Sequence, residues 1–370
     1  MSLIRFNNEQ KMIRDEFRKF ATSELEPIAE EIEKNAIFPK EIVNKLSELG
    51  LLGLIIPEKY GGVELDVTSL CIAVEEISKV CASIATVLVV NNCMVAYPLM
   101  KYGEETLKEK YLNKLSNGEI GGFICEPEFD LSEEENNLKV GGNDLIFSGH
   151  REFVLNGEAA NFYIMPITTP EYTKYYIFDN DTKGILLSQK NLLGMRAAGF
   201  MNAEFQDMKL KKETCFISED KSGKIQFEIK DYANVGFCAI SLGIAQAALE
   251  TSIKYSKERV QFGRPISKFP MIREMLAEMK IKIETARLLV YDAASKIDNG
   301  ENFSVQSKIA RLYCGEMGVF VGLNAIQVHG GYGYMKDYPL ERYFRDTKVL
   351  QLLEASPRVF KSQIAGELLK

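Results

Sequence analysis

The sequence predicts an α+β protein in three segments: a helical N-terminal domain, a middle domain of antiparallel β-strands, and a C-terminal four-helix bundle. Three observations lead there. Up to about residue 118, apolar residues recur at helical spacing. From about 119 to 226 that period gives way to short alternating runs between turn residues, such as NFYIMPI and KYYIFD. From 227 to 370 the helical period returns in long segments joined by short loops, which reads as a bundle. A chain of 370 residues has room for two or three domains with a sizeable core, so the expected boundaries are 1–118, 119–226 and 227–370.

In the first segment Phe6, Met12, Ile13, Phe17 and Phe20 approximate one helix face, with Asn7 placed to cap it. Pro27 interrupts the pattern and predicts a kink or junction. The next helix, in KEIVNKLSELG, ends near Gly50 and leads into an apolar run and a Pro/Gly turn. Residues 66 to about 100 are helical and apolar on most sides, as in a buried helix pair. In the second segment DLIFSGHREFVLNG, NFYIMPI, KYYIFD, GILLSQ and AEFQDMKL read as strands, and the acidic stretch EPEFDLSEEENN (126–137) as a solvated loop. In the third, Ile240, Ile244 and Ala248 mark one stripe, and Ile272, Met275, Leu276 and Met279 begin another. Ile309, Leu312, Phe320 and Val321 mark a third, and a last helix leads to the C-terminus. The methionine stripe reads as core rather than as a cofactor box.

Composition narrows the function classes. At 46% hydrophobic and 26% charged the chain is ordinary for a globular protein. A net charge of −7 without a strong basic run argues against nucleic acid and anionic membranes as partners. No uninterrupted apolar stretch approaches the ~20 residues of a membrane span, and MSLIRFNNEQ lacks the apolar core of a secretion signal, so a cytoplasmic location is expected. Seven scattered cysteines and two histidines support neither a disulfide framework nor a zinc site. Without a GxSxG elbow or a GxxxxGK[ST] loop, a hydrolase triad and a P-loop lack their parts.

One residue asks for an explanation. In KVLQLLEASPRVF the carboxylate Glu354 follows Leu350, Leu352 and Leu353 and precedes a proline. It can be a helix-end residue whose head reaches water. It can also be a base in a dry pocket, because burial raises a carboxylate's proton affinity towards that of a useful catalyst. The residues alone leave both readings open, the first being the commoner outcome.

Two stretches decide between them: KERVQFGRPISKFPMIREMLAEMKIKIETARLLVYDAA (257–294) and AIQVHGGYGYMKDYPLERYFRDTKVLQLLE (325–354). Both closely resemble signatures of the acyl-CoA dehydrogenase family, in particular its short- and medium-chain, butyryl-CoA-type members. IPEKYGG, VEEISKVCASIA and LGMRAAG (193–199) fit the same family. The resemblance implies the same three-domain fold, FAD as cofactor, a homotetramer, an acyl-CoA or other acyl-thioester substrate, and an electron-transfer flavoprotein as acceptor. It implies that Glu354 abstracts the α-proton while the β-hydride passes to flavin N5. The base's backbone N–H and a ribityl hydroxyl of FAD then donate to the thioester oxygen as enolate charge develops.

The resemblance also assigns the other site residues. Arg259 and Phe262 would meet the FAD of a neighbouring subunit, as a charged fork and an aromatic face suit a diphosphate and flat rings. Gln327, Gly330 and Gly331 would contact that same cofactor, the glycines by letting backbone N–H groups come close to phosphate. Phe123, Cys125, Val154, Leu155 and Ser356 stand at flavin-contacting positions, and Asp231 in KDYANVG stands near the CoA portion. His329 has no catalytic place in the pattern and reads as a satisfied structural residue.

Departures from the family pattern cluster at the cofactor. Cys125 replaces a threonine in CEPEFDL, the GSD that normally follows is absent, and Leu155 replaces a hydroxyl-bearing residue. Pro270 stands for a glutamine, Asn234 for an arginine, and residues 355–358 for GTSE or GTSQ. They raise the alternative of a silent or chemically altered family member: an acyl-thioester-binding or assembly subunit, or an enzyme acting on an acyl-carrier protein.

Overall fold

The computed structural model describes residues 4, 6–126, 137–141, 144–353 and 356–369. Helix α1 (Asn8–Phe20) opens with a reciprocal cap: Asn7 Oδ1 accepts the Gln10 N–H at 2.8 Å and Gln10 Oε1 accepts the Asn7 N–H at 3.2 Å. The helix loosens into a π turn over Ala21–Leu25 and ends just before Pro27, and α2 (Ala29–Asn35) starts beyond it. Helix α3 (Lys40–Glu48) stops at Gly50, whose φ of +73° is the left-handed stop that glycine adopts readily. Asp66 Oδ1 caps α4 (Val67–Ser78) by accepting the Ser69 N–H at 2.6 Å. Then α5 (Ala82–Val89) runs through a second π turn, Val90–Ala96, into α6 (Tyr97–Tyr102), and α7 (Glu105–Ser116) closes the segment.

The middle segment is a mixed sheet of β1 (Gly121–Ile124), β2 (Asn137–Gly141), β3 (Asp144–Leu155), β4 (Phe162–Thr168), β5 (Thr173–Asp179), β6 (Ile185–Gln189), β7 (Met201–Leu210) and β8 (Cys215–Asp220). The order is β6-β7-β3-β1-β4-β5-β8, with β2 pairing β3. The antiparallel expectation holds for every pairing but one: β1 runs parallel to β4, Gly121 opposite Phe162 and Phe123 opposite Ile164. The expected acidic loop at 127–136 lies outside the described residues.

Strand alternation sends the sheet's two faces into different cores. Ile124, Val154, Tyr163 and Met165 join Phe147, Phe205 and Met208 in a core of the sheet's own. Phe123, Leu155, Phe162 and Ile164 turn towards the helices and enter the main core, which spans both helical segments. Three asparagines fix where β1 begins. Asn91 Oδ1 accepts the Gly121 N–H at 2.9 Å, Asn156 Nδ2 donates to Gly121 O at 3.2 Å, and Asn161 Oδ1 accepts the Ile120 N–H at 2.9 Å.

The third segment contains α8 (Lys224–Glu258), a small hairpin of β9 (Val260–Gln261) and β10 (Arg264–Pro265), then α9 (Pro270–Asp298), α10 (Ser304–His329), α11 (Leu340–Leu352) and α12 (Pro357–Leu368). Three long helices and the shorter α11 make the expected bundle; a break after Leu353 makes α12 a fifth helix. Helix α10 meets α11 across Gly315, Gly318 and Gly322. A Cβ at these positions would lie 3.3 Å from Gln351 Cα, 3.0 Å from Thr347 Cβ and 3.0 Å from Phe344 Cα.

Ala82–Tyr102, Lys224–Glu258 and Ser304–Tyr334 are each long and apolar enough to cross a membrane, which corrects the expectation that no such stretch exists. Isolated polar residues interrupt the apolar run without lowering its mean hydropathy much. The most apolar windows of the first two are 89% and 94% buried within the molecule, and that of the third 50%.

Candidate active site

The residues expected at the cofactor fall into separate regions. The first is a groove of about 1010 Å³ lined by Arg259, Phe262, Pro270, Gln327, Gly330 and Gly331, among others. Arg259 follows directly on α8, and its guanidinium lies 5.3 Å from the Tyr332 ring centroid. The arginines that form ion pairs among the described residues are 14, 18, 287 and 345, so Arg259 retains its charge for a ligand. Phe262, in the left-handed region at the hairpin tip (φ +49°), is 93% exposed. A Cβ at Gly330 or Gly331 would meet nothing within 4 Å, so the backbone there is open to close approach. Pro270 is the first residue of α9, where a missing N–H costs no helix bond.

His329, beside the glycines, is satisfied at one nitrogen only. Its Nδ1 lies 2.8 Å from Ala325 O, while Nε2 is buried without a partner among the described residues. The ring stacks on Tyr255 at a centroid distance of 4.1 Å, and burial pulls its pKa down.

The second region is the β1–β3 pair. Phe123 lies opposite Leu155 and Ile124 opposite Val154, and the Cys125 N–H donates to Phe153 O at 2.8 Å. Leu155 faces the helices, whereas the Val154 side chain points into the sheet's own core. A small cleft of about 20 Å³ separates Phe123 and Cys125 from Gln226, Ile229 and Lys230 at the start of α8. Sequence reasoning missed Glu126, which draws these elements together. Its carboxylate accepts the Thr168 N–H at 2.7 Å, Thr168 Oγ1 at 2.6 Å and Gln226 Nε2 at 3.0 Å.

The third region lies between α8, α10 and the end of α11. Asp231 is 2% exposed, and its Oδ2 accepts Lys308 Nζ at 2.5 Å and Ser304 Oγ at 2.6 Å. Burial pushes this carboxyl above its usual range, against the attraction of Lys308. Asn234, one turn on, is buried with Oδ1 unpartnered among the described residues. Arg311 is also 2% exposed; its Nη2 donates to Leu353 O at 3.0 Å, and its guanidinium lies 5.6 Å from the Phe237 ring centroid. Glu354 itself lies outside the described residues. Leu353 before it is buried, and Ser356 after it is the N-cap residue of α12, its carbonyl accepting the Val359 N–H at 3.0 Å. Lys308 and Arg311 escaped the sequence reading, although two cations three residues apart in KIARLY on an apolar helix are a usable signal.

The regions are far apart within one chain. From Asp231 to Arg259 is 259 − 231 = 28 positions, about 40 Å along α8 at ~1.5 Å per residue. A dinucleotide flavin needs positive charge or N–H donors at its diphosphate and flat surfaces for its rings. The Arg259 guanidinium, in no ion pair among the described residues, the exposed Phe262 and the open Gly330–Gly331 backbone fit that requirement.

The family description for the acyl-CoA dehydrogenase N-terminal domain matches residues 7–119, and that for the C-terminal domain matches residues 231–369. The short-chain specific acyl-CoA dehydrogenase of Clostridium acetobutylicum is 35% identical, over 98% of both chains. The solved structure of butyryl-CoA dehydrogenase from Megasphaera elsdenii superposes with a TM-score of 0.94 at 33% identity, covering 99% of this chain and 100% of that one. A chain in a structure described as the electron transferring flavoprotein of Acidaminococcus fermentans, in work on flavin-based electron bifurcation, also gives 0.94, at 34% identity and full coverage of both chains. The chain belongs to the acyl-CoA dehydrogenase family, flavoproteins that use FAD to oxidise acyl-CoA across its α,β bond.

Proposed function

We propose that this chain desaturates short acyl-CoA thioesters as a homotetramer in the cytoplasm and passes the electrons to an electron-transfer flavoprotein. The observation that carries the reading is the split cofactor site. Strand residues Phe123 and Cys125 face Gln226, Ile229 and Lys230 at the start of α8, and the Arg259 groove lies past its other end, about 40 Å along the helix, so one cofactor can use both only when two copies combine. The short-chain specificity named for the Clostridium relative supports the chain length, and the Acidaminococcus structure supports the acceptor. Segments 1–118, 119–226 and 227–370 serve as its three domains.

When bound, FAD would supply the acceptor for the hydride that leaves the substrate β-carbon. Glu354 takes the α-proton, and its backbone N–H donates to the thioester oxygen where negative charge develops. Leu353, which immediately precedes Glu354 in the sequence, is buried, and a dry setting would favour a basic carboxylate. Phe123, Cys125, Leu155 and Ser356 wall the cofactor's rings, while Val154 contributes backbone alone. Arg259, Phe262, Gln327, Gly330 and Gly331 hold the dinucleotide of the neighbouring copy. Asp231 acts on the substrate side of α8 through its pairing with Lys308.

The test is anaerobic stopped-flow reduction of the purified protein by short acyl-CoAs, wild type against Glu354→Gln. Wild type should show a flavin absorption band that substrate bleaches, and the variant should bleach at least ~10²-fold more slowly. A variant as fast as wild type, or a wild type devoid of flavin, overturns the reading.

A further inference from the structure

Where the three segments meet, the loop from β6 to β7 lies flush against α11. Gly194 leaves no room between them: a Cβ there would sit 2.5 Å from Arg345 O and 2.6 Å from the Asp346 nitrogen. The next residue, Met195, is buried and takes a left-handed φ of +51°, which a residue with a side chain keeps only where its surroundings hold it. Three contacts do so. Asp346 Oδ1 accepts the Met195 N–H at 2.6 Å, Arg345 Nη1 donates to Leu193 O at 2.6 Å, and Arg196 Nη1 donates to Glu33 O of α2 at 3.3 Å. Ala197, Ala198 and Phe200 then enter the main core. A loop of the sheet is thus tied to a helix of the first segment and to one of the third.

The first of these contacts is made by a carboxyl that is 4% exposed and in no ion pair among the described residues. The titratable groups that face it are engaged elsewhere or have the wrong sign. On α11, Arg345 pairs with Glu33 at 2.8 Å and with Glu341 at 2.6 Å. Arg342 donates to Ala29 O at 3.3 Å and Val80 O at 3.5 Å, and burial keeps the Tyr343 hydroxyl protonated. From α2, Glu33 adds a like charge; ahead of α5, the buried Cys81 thiol stays protonated; within the loop, Arg196 turns to α2. Burial first, and then the Glu33 charge, push the Asp346 carboxyl up to about 7. Glu33, Arg196, Arg342, Tyr343 and Arg345 line a cleft of about 480 Å³ that Asp346 itself does not line.

We propose that Asp346 and the 193–199 loop form a proton-linked latch at the junction of the three segments: closed, Asp346 is protonated and its Oδ1 accepts the Met195 N–H; lifting the loop lets the carboxyl ionise in water, so that opening releases one proton. An aspartate in water ionises near 3.9. A proton kept by the closed form and released by the open one makes opening easier as pH rises from that value to about 7, by up to about tenfold per pH unit, and no further above it. The junction is therefore tightest on the acid side of neutrality.

Hydrogen–deuterium exchange of the whole purified chain tests this. Peptides spanning 193–199 are followed by mass spectrometry at pH 5, 6 and 7, with correction for the intrinsic pH dependence of amide exchange. In wild type the protection of the Met195 amide should fall by about tenfold to a hundredfold from pH 5 to pH 7. Asp346→Asn keeps the shape and an accepting oxygen but has no proton to release, so its protection should change by less than about threefold over that range. Gly194→Ala should wedge the loop from α11 and expose the amide at every pH. A wild-type change below about threefold overturns the proposal, and so does a wild-type slope retained in Asp346→Asn. Should Asp346→Asn fail to fold, a wild-type slope retained in Gly194→Ala overturns it instead.

Discussion

Replacing Lys308 with methionine keeps most of the side-chain volume and removes the only cation bonded to Asp231 among the described residues. Both partners are almost fully buried, with a single Nζ–Oδ2 contact of 2.5 Å and Ser304 Oγ at 2.6 Å. Breaking a pair of this kind typically costs about 3–5 kcal/mol, because the remaining charge stays buried and uncompensated. At ~2.1 cal/mol/K of unfolding entropy per residue, a chain of 370 residues loses about 1.3 °C per kcal/mol, so the melting temperature should fall by about 4–6 °C. The loss should also depend on pH. The Asp231 carboxyl is raised by burial in the folded state and has no such shift when unfolded. Below its unfolded pKa, near 3.9, both states are protonated and no charge is buried; the penalty grows as pH rises through the folded pKa. Differential scanning calorimetry at pH 5 and 7.5 should therefore show the larger destabilisation at pH 7.5. Adding Asp231→Asn to Lys308→Met should recover at least half of it. A single variant within about 1 kcal/mol of wild type would refute the reasoning, since surface-like substitutions stay in that range.

Other expectations follow from the geometry. Arg259→Ala should release flavin during gel filtration while circular dichroism stays unchanged, because this side chain makes no ion pair among the described residues within its own chain; undiminished flavin content would contradict that role. Gly318→Val should lower thermal stability, since even its Cβ would sit 3.0 Å from Thr347 Cβ and the extra methyls would push α10 from α11; an unchanged melting curve would show that the helices can part freely. Burial depresses the His329 pKa, so its contribution is present above the unfolded value near 6.5 and is lost as pH falls through the folded value. His329→Gln should flatten the stability profile as pH falls below about 6.5, by at most about 1.4 kcal/mol per pH unit; equal slopes in the two proteins would exclude this origin.

The helical segments were readable because their signals are local. Asn7 and Gln10 cap α1 within one turn, Gly50 stops α3, and the stripes of α8 to α10 repeat often enough to define a face. Strand β1 was not readable: GGFI is four residues long, half glycine, and shows no alternation. Its parallel pairing with β4 depends on residues about 40 positions away, which no local window contains. At the candidate site, Arg259, Phe262 and the glycine pair stood out through their motifs. Lys308 and Arg311 did not, because a cation in a helix reads as surface until its neighbours are known to be buried. The broken helix before Ser356 had a visible cause in Pro357, which disfavours helical geometry in the residue before it.

The three asparagines at the start of β1 bear on the order in which the chain assembles. The hairpins β2–β3 and β4–β5 are local and can close on the microsecond scale. Strand β1 must wait for both β3 and β4, since it fills the gap between them. Its four residues specify their own register weakly, and a slip of one position would turn Ile124 towards the helices and Phe123 into the sheet's core. Asn91, Asn156 and Asn161 remove that ambiguity from three sides at once, but only after the π turn and both neighbouring strands are in place. The strand leading to Cys125 is thus the keystone of the sheet, seated last, and faults at these asparagines would be felt as slow maturation more than as an unstable finished protein.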